Sequence, residues 1–168
     1  MVLIRPVRDG DDLQELGRVV LIAYTREPGY PPDVTYDNEL VDVATRVKSA
    51  LVAVAETDEG RLIGCVTYVA DQANPMSEHD DPEAAAFRML GVDPAAQGQG
   101  AGRALVQWCI DRARADGKRR LLIHSGVWMT PAHRMYKSMG FVHRPENDWE
   151  PVQGVFLLGF TYELDGAH

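Results

Sequence analysis

Apolar positions along the chain change their period several times, and each change marks an element. Residues 2–7 predict a short strand, closed by Asp9, Asp11 and Asp12, which are helix-starting carboxylates. Leu13, Leu16, Val20 and Ala23 recur at helical spacing and predict a helix to about Tyr24. Three prolines and a glycine within residues 27–32 force a loop, and a second, more polar helix is predicted over 38–48. Residues 51–55 and 62–69 predict paired strands around a turn at 57–60. A further strand is predicted over 84–92, a helix running to about Gly117, a strand over 121–125 and a helix over 130–139. Two last strands are predicted over 141–144 and 155–162. Residues 77–82 and the stretch before the last strand read as loops. The alternation predicts an α+β protein with a mixed sheet.

The 168 residues are 45% hydrophobic and 25% charged, the balance of a globular chain of one domain, 1–168. No apolar run approaches the ~18 residues that a membrane span requires. The chain turns polar directly after Met1–Ile4, so no secretory signal is expected. A net charge of −8 disfavours nucleic-acid partners and favours cationic small molecules. Cys65 and Cys109 read as buried thiols of a reducing compartment, and the cytoplasm is the expected location. The five histidines lack metal-ligand spacing, so no metal is expected.

The informative stretch is Gln97, Gly98, Gln99, Gly100, Ala101, Gly102 and Arg103, between a strand and a helix. Glycines here let the backbone turn sharply and let a ligand approach the unpaired N–H groups of the helix start. That makes a pyrophosphate cradle, to which Arg103 adds a cation. A dinucleotide fingerprint would need glycine at 103, and a Walker loop would need a Gly-Lys-Ser/Thr end; both fail on residues. The spacing Gln97-x-x-Gly100-x-Gly102 after Val92, Asp93 and Pro94 resembles the acyl-CoA loop of the GNAT superfamily of N-acetyltransferases, whose pattern is Gln/Arg-x-x-Gly-x-Gly/Ala. A second stretch, Ala132 to Phe141 with Tyr136 and Gly140, is similar to the family's Ala-x-x-Leu-Tyr-x-x-x-Gly-Phe segment. Ala132, Met135, Tyr136 and Met139 share one helical face.

The resemblance implies a GNAT-like α+β fold: a mixed, mostly antiparallel central sheet with helices on both faces, splayed at the acyl-CoA site. It implies acetyl-CoA as co-substrate, bound by residues 97–103 and by the backbone at Leu90, Gly91 and Val92. Tyr136 would be the general acid, its phenol (pKa ~10) protonating a departing thiolate (pKa ~8.5). The activity implied is direct acetyl transfer, in a ternary complex, to a primary amine of a small molecule or peptide. The alternative is a catalytically weak acyl-CoA-binding sensor or partner-binding module.

Two departures from the family pattern keep that alternative open. The family's glutamate six residues before Val92 is replaced by Ala86, and its asparagine seven residues before the tyrosine by Met129. Glu83 and His124 are therefore the candidate bases. His124 has the intrinsic pKa for the task, and as strand neighbours His124 and Ser125 point to opposite faces. Tyr30, Trp128 and Trp149, near several carboxylates, are candidate acceptor-binding residues, suited to a protonated amine. A homodimer through an exposed strand edge is compatible with the family.

Overall fold

The computed structural model describes residues 1–164. Its strands form an eight-stranded, mostly antiparallel sheet in the order β1-β2-β3-β4-β5-β8-β6, with β7 added on β8. Five helices accompany them, so the α+β class and the mixed sheet expected from the sequence are what the chain adopts. Contacts divide the chain into two compact units: residues 1–68 with 88–109, and residues 69–87 with the chain from 110 onward.

In the first unit β1 (Val2–Pro6) pairs antiparallel with β2 (Leu51–Thr57), and β2 with β3 (Leu62–Val69). Gly60, at φ 84°, closes the β2–β3 turn where the sequence places it. Helix α1 (Leu13–Thr25) starts at Asp12, whose carboxylate accepts from the Glu15 N–H at 3.0 Å. It buries Leu16, Val19 and Val20, the inner face that the spacing predicts. Leu16, Val20, Leu40, Val43, Val52, Val54, Cys65 and Met89 form the core.

The predicted helix over 38–48 is two helices, α2 (Val34–Val41) and α3 (Val43–Ser49). The break falls at Asp42, because its carboxylate captures the Thr45 N–H and hydroxyl and starts a new helix. Arg46 of α3, 3% exposed, turns inward and donates to the carbonyls of Glu39 and Leu40. It thereby satisfies the last turn of α2, which would otherwise end in orphan acceptors. Gly17 of α1 is what admits this corner: a Cβ there would lie 2.2 Å from the Val41 carbonyl oxygen.

Strand β4 (Ala84–Val92) contributes its end, residues 88–92, to the first unit. Gly91 has no room for a side chain, since a Cβ would meet the Val20 Cα at 2.9 Å. Met89, buried, takes φ 55°, a left-handed conformation rare for a residue with a side chain.

In the second unit the start of β4 pairs parallel with β5 (Arg120–Gly126), over only Ala84–Ala86 against Arg120–Leu122. By contrast β5 pairs with β8 (Val155–Glu163) over seven positions, from Arg120↔Glu163 to Gly126↔Leu157. Two short strands, β6 (Val142–His143) and β7 (Trp149–Val152), also join β8. The sequence reads β7 as loop because its four residues are all exposed and carry no alternation. Helix α5 (Thr130–Ser138) precedes β6, with Gly140 at φ 105° ending it as expected.

Candidate functional site

The glycine loop lies in the first unit. Asp93 caps the short 3-10 turn at Pro94–Ala96 through the Ala95 N–H (2.9 Å), and Arg61 grips its other oxygen at 2.6 Å. The Asp93 N–H is held by the Ile63 carbonyl at 2.7 Å, so the approach to the loop is pinned to β3. Gly98 (φ 88°) and Gly100 (φ 77°) then turn the chain into helix α4 (Ala101–Ala115). A Cβ at either glycine would meet nothing within 4 Å, so neither is there for packing; the left-handed backbone is what requires them. The first turn of α4 leaves N–H groups without intrahelical acceptors, with the positive end of the helix dipole behind them. Ala101, Leu105, Val106, Cys109 and Ile110 are buried and fix the helix below this end. An anionic, pyrophosphate-like group fits such an end.

Tyr30, expected on the acceptor side, belongs to the same unit. Its hydroxyl donates to Asp37 at 2.5 Å, and burial followed by this bond pushes the phenol above its ordinary pKa. Its ring meets Tyr24 edge-on at 6.4 Å, and Tyr24 meets Tyr36 at 6.2 Å.

The second unit holds a groove of about 990 Å³, open to solvent, that gathers His124, Trp149, His79, Phe160 and a charged rim. Six carboxylates (Glu78, Asp80, Asp81, Glu146, Asp148, Glu163) face two guanidiniums, Arg120 and Arg144. Arg120 is already engaged by Asp81 (2.7 Å) and Glu163 (3.6 Å), so the lining keeps a negative excess. Burial alone would raise the Asp81 carboxyl, but the Glu83 N–H and the Arg120 guanidinium bring it below the ordinary range.

His124 sits against Trp149, ring to ring at 5.9 Å, and its Nε2 lies 3.0 Å from the Asn147 carbonyl oxygen. A carbonyl can only accept, so Nε2 carries the proton and the neutral ring keeps its lone pair on Nδ1. Gly159 makes this approach possible. A Cβ there would strike the Cβ of Asn147 at 2.6 Å, and its N–H holds Asp148 at 2.8 Å. His79 has the same tautomer: Nδ1 accepts the Asp81 N–H at 3.1 Å, leaving the proton on Nε2.

Glu83, the other candidate base, is exposed in the turn before β4 and paired with Arg119 at 3.2 Å, outside the groove lining. Trp128 lies over Gly126, where a Cβ would come within 2.4 Å of its ring. The structure thus joins His124 to Trp149 in one groove, and leaves Glu83 and Trp128 outside its lining.

Tyr136 is 5% exposed, its ring surrounded by Phe87 (5.9 Å), Phe141 (5.6 Å) and Phe160 (5.9 Å). The buried face of α5 centres on His133 and Tyr136 rather than on Met135 and Met139, which are half-buried. Sequence reasoning misses His133, because a polar residue on an apolar face breaks the pattern being counted. Its Nε2 bonds Ser125 Oγ at 3.1 Å, and its ring lies 5.1 Å from Phe160. Ser125 accordingly faces α5 while its neighbour His124 faces the groove, the alternation that the sequence predicts.

Burial holds both His79 and His133 below the ordinary histidine pKa of 6.5; for His133 the Gly126 carbonyl opposes this and Lys137 and His143 reinforce it. Their contribution to stability is fully present above about pH 6.5. It is lost as the pH falls from there through the lowered folded values, because the unfolded chain takes up protons first. The melting temperature should therefore drop between pH 7 and 5, before the carboxylates titrate. Scanning calorimetry across that range checks it; a flat profile, or an equally steep one in His133→Gln, would contradict the assignment.

The basic run at 112–120 is spent locally, with Arg112 on Asp116, Arg114 on Asp111 and Arg119 on Glu83. Among the described residues no three His, Cys, Asp or Glu side chains are placed to hold a metal, and no helix is long and apolar enough to cross a membrane. Cys65 and Cys109 are buried, with burial pushing the Cys65 thiol up to about 11.

A family model described as the acetyltransferase (GNAT) family matches residues 19–141. An IAA acetyltransferase of Azospirillum brasilense is 28% identical over 68% of this chain and 68% of its own. A mycothiol acetyltransferase of Cellulomonas flavigena is 30% identical over 95% of this chain but 48% of its own, so the chain spans about half of that relative. In fold, the chain is similar to a GCN5-related N-acetyltransferase from Kribbella flavida (TM-score 0.71, 24% identity, 97% and 98% covered). It is also similar to a GNAT family acetyltransferase from Elizabethkingia anophelis with acetyl-CoA bound (TM-score 0.65, 21% identity, 97% and 98% covered).

Proposed function

This chain belongs to the GNAT acetyltransferase family, and from that premise we propose that it transfers an acetyl group from acetyl-CoA to the primary amine of a cationic small molecule. The observation that carries the reading is the loop at 97–103. Two left-handed glycines with open Cβ directions lie at a helix N-terminus, inside the stretch that matches the family. In this proposal the backbone of that loop, with Arg103, holds the pyrophosphate, and the backbone at Leu90–Val92 holds the pantetheine arm.

The groove supplies the acceptor side. Its carboxylate excess and the exposed face of Trp149 suit an ammonium through ion pairing and cation–π contact. His124 Nδ1 takes the proton that the amine must lose before its nitrogen can attack the thioester carbon. As the C–S bond breaks, the Tyr136 hydroxyl gives a proton to the leaving sulfur, and the phenolate is reprotonated from water. Direct transfer is favoured over a covalent acyl-enzyme because both cysteines are buried and their thiols raised.

The names of the relatives, an IAA acetyltransferase and several mycothiol acetyltransferases, support a small-molecule acceptor over a protein one. Thiol release from acetyl-CoA, screened over polyamines, amino sugars, amino acids, arylalkylamines and peptide N-termini alongside a CoA titration, tests the proposal. Micromolar CoA binding with turnover confined to cationic amines is expected. CoA binding without release for any amine would favour a sensor module, and no CoA binding would overturn both.

A further inference from the structure

Beyond the acid role proposed for Tyr136, on which it rests, the geometry points to His133 as a positioning residue: by bonding Ser125 at the end of β5 it fixes helix α5, and through α5 and Phe160 it aims the Tyr136 hydroxyl. The family resemblance assigns this position no function.

Three observations converge. His133 and Ser125 are each 7% exposed, so their 3.1 Å bond is shielded from water and has no solvent substitute. His133 precedes Tyr136 by three residues, which places both on one face of α5. Both rings rest on Phe160, at 5.1 and 5.9 Å, so a shift of one is passed to the other by contact.

The helix needs such a tie because its own start is weakly held. Met129, at the N-cap of α5, makes no side-chain cap bond, so the first turn lacks the carboxylate that caps α1, α2 and α3 through Asp12, Asp33 and Asp42. The His133 side chain, bonded to Ser125 Oγ and also to the Gly126 backbone, does the fixing one turn further in. Rotation or sliding of α5 would move the Tyr136 hydroxyl, and an error of about 1 Å in such a group can cost on the order of a hundredfold in rate.

The test uses Ser125→Ala, His133→Phe and His133→Gln, assayed for acetyl transfer with the best amine found, together with CoA affinity and melting temperature. Ser125→Ala and His133→Phe should each lower kcat about tenfold, with KM for acetyl-CoA and CoA affinity within about twofold of the parent. His133→Gln, which can still bond Ser125, should recover most of kcat. In a Tyr136→Phe background, Ser125→Ala should lower kcat no further, because there is no longer a hydroxyl to aim.

Lower melting temperature with unchanged kcat would make the bond merely structural and overturn the proposal, as would full additivity with Tyr136→Phe. A fully active Tyr136→Phe would sink the acid role itself, and the purpose of the tie with it. If His133→Phe does not fold, Ser125→Ala carries the same readout, since it removes one hydroxyl and no volume that α5 packs on.

Discussion

Tyr136→Phe is expected to lower kcat for acetyl transfer about a hundredfold while leaving CoA affinity within twofold. General acid catalysis is worth roughly 10²–10⁴ in rate, and the low end applies where water can partly replace the proton donor. A hundredfold loss corresponds to about 2.7 kcal/mol of transition-state stabilisation. The substitution isolates the chemistry because the ring is retained. Phe87, Phe141 and Phe160 pack against the aromatic face, and a phenyl group keeps those contacts. Steady-state thiol release measures kcat, and calorimetric titration measures CoA. An unchanged kcat would remove Tyr136 from the reaction; a fall matched by lost CoA affinity would make it a binding residue instead.

Gly17→Ala should lower the melting temperature by about 4–8 °C, although alanine is the better helix former. Propensity alone would favour alanine by roughly 1 kcal/mol in the middle of α1. Against it stands a Cβ placed 2.2 Å from the Val41 carbonyl oxygen and 2.9 Å from the Val41 Cα. These are backbone atoms at the end of α2, so no rotamer change relieves the contact; α1 and α2 must part. Overpacking costs typically 1–3 kcal/mol, and a contact this close to backbone belongs at the upper end, about 3 kcal/mol, so the clash outweighs the propensity gain by about 2 kcal/mol. At ~2–4 °C per kcal/mol for a chain of this size, that gives the stated shift. Thermal unfolding monitored by circular dichroism decides it, and a rise in melting temperature would show that α2 yields at no cost.

Most of the elements are legible in the sequence wherever one periodicity runs uninterrupted. Leu13, Leu16 and Val20 announce α1, and Ala101, Leu105 and Cys109 announce α4, because burial of one stripe is what stabilises those helices. The division at Asp42 is not legible, since apolar residues on both sides continue a helical pattern; a side-chain hydrogen bond to Thr45 ends it, and capping leaves little mark on hydrophobicity. For the same reason β7 escapes, being held by backbone bonds to β8 with no buried side. Among the candidate site residues, the glycine loop and Tyr136 are picked out by spacing, and the pairing of His124 with Trp149 is not. That pairing depends on a turn at residues 145–147 crossing over Gly159, a contact between segments that only the folded chain brings together. His133 could have been found by asking why a histidine shares the face of Tyr136.

The unequal ladders of β5 have a consequence for how the protein is made. Toward β4 this strand has three paired positions, and toward β8 it has seven. A chain emerging from the ribosome completes β1–β4 and α1–α4 early, and local units can organise as they appear. The strand bearing His124 and Ser125 cannot do so, because its main partner is translated only after α5, β6 and β7. Until β8 emerges, one edge of β5 keeps its backbone N–H and C=O groups without their strand partner, the kind of edge that invites mispairing. The second unit therefore completes its sheet only once Val155–Glu163 is available to dock on β5.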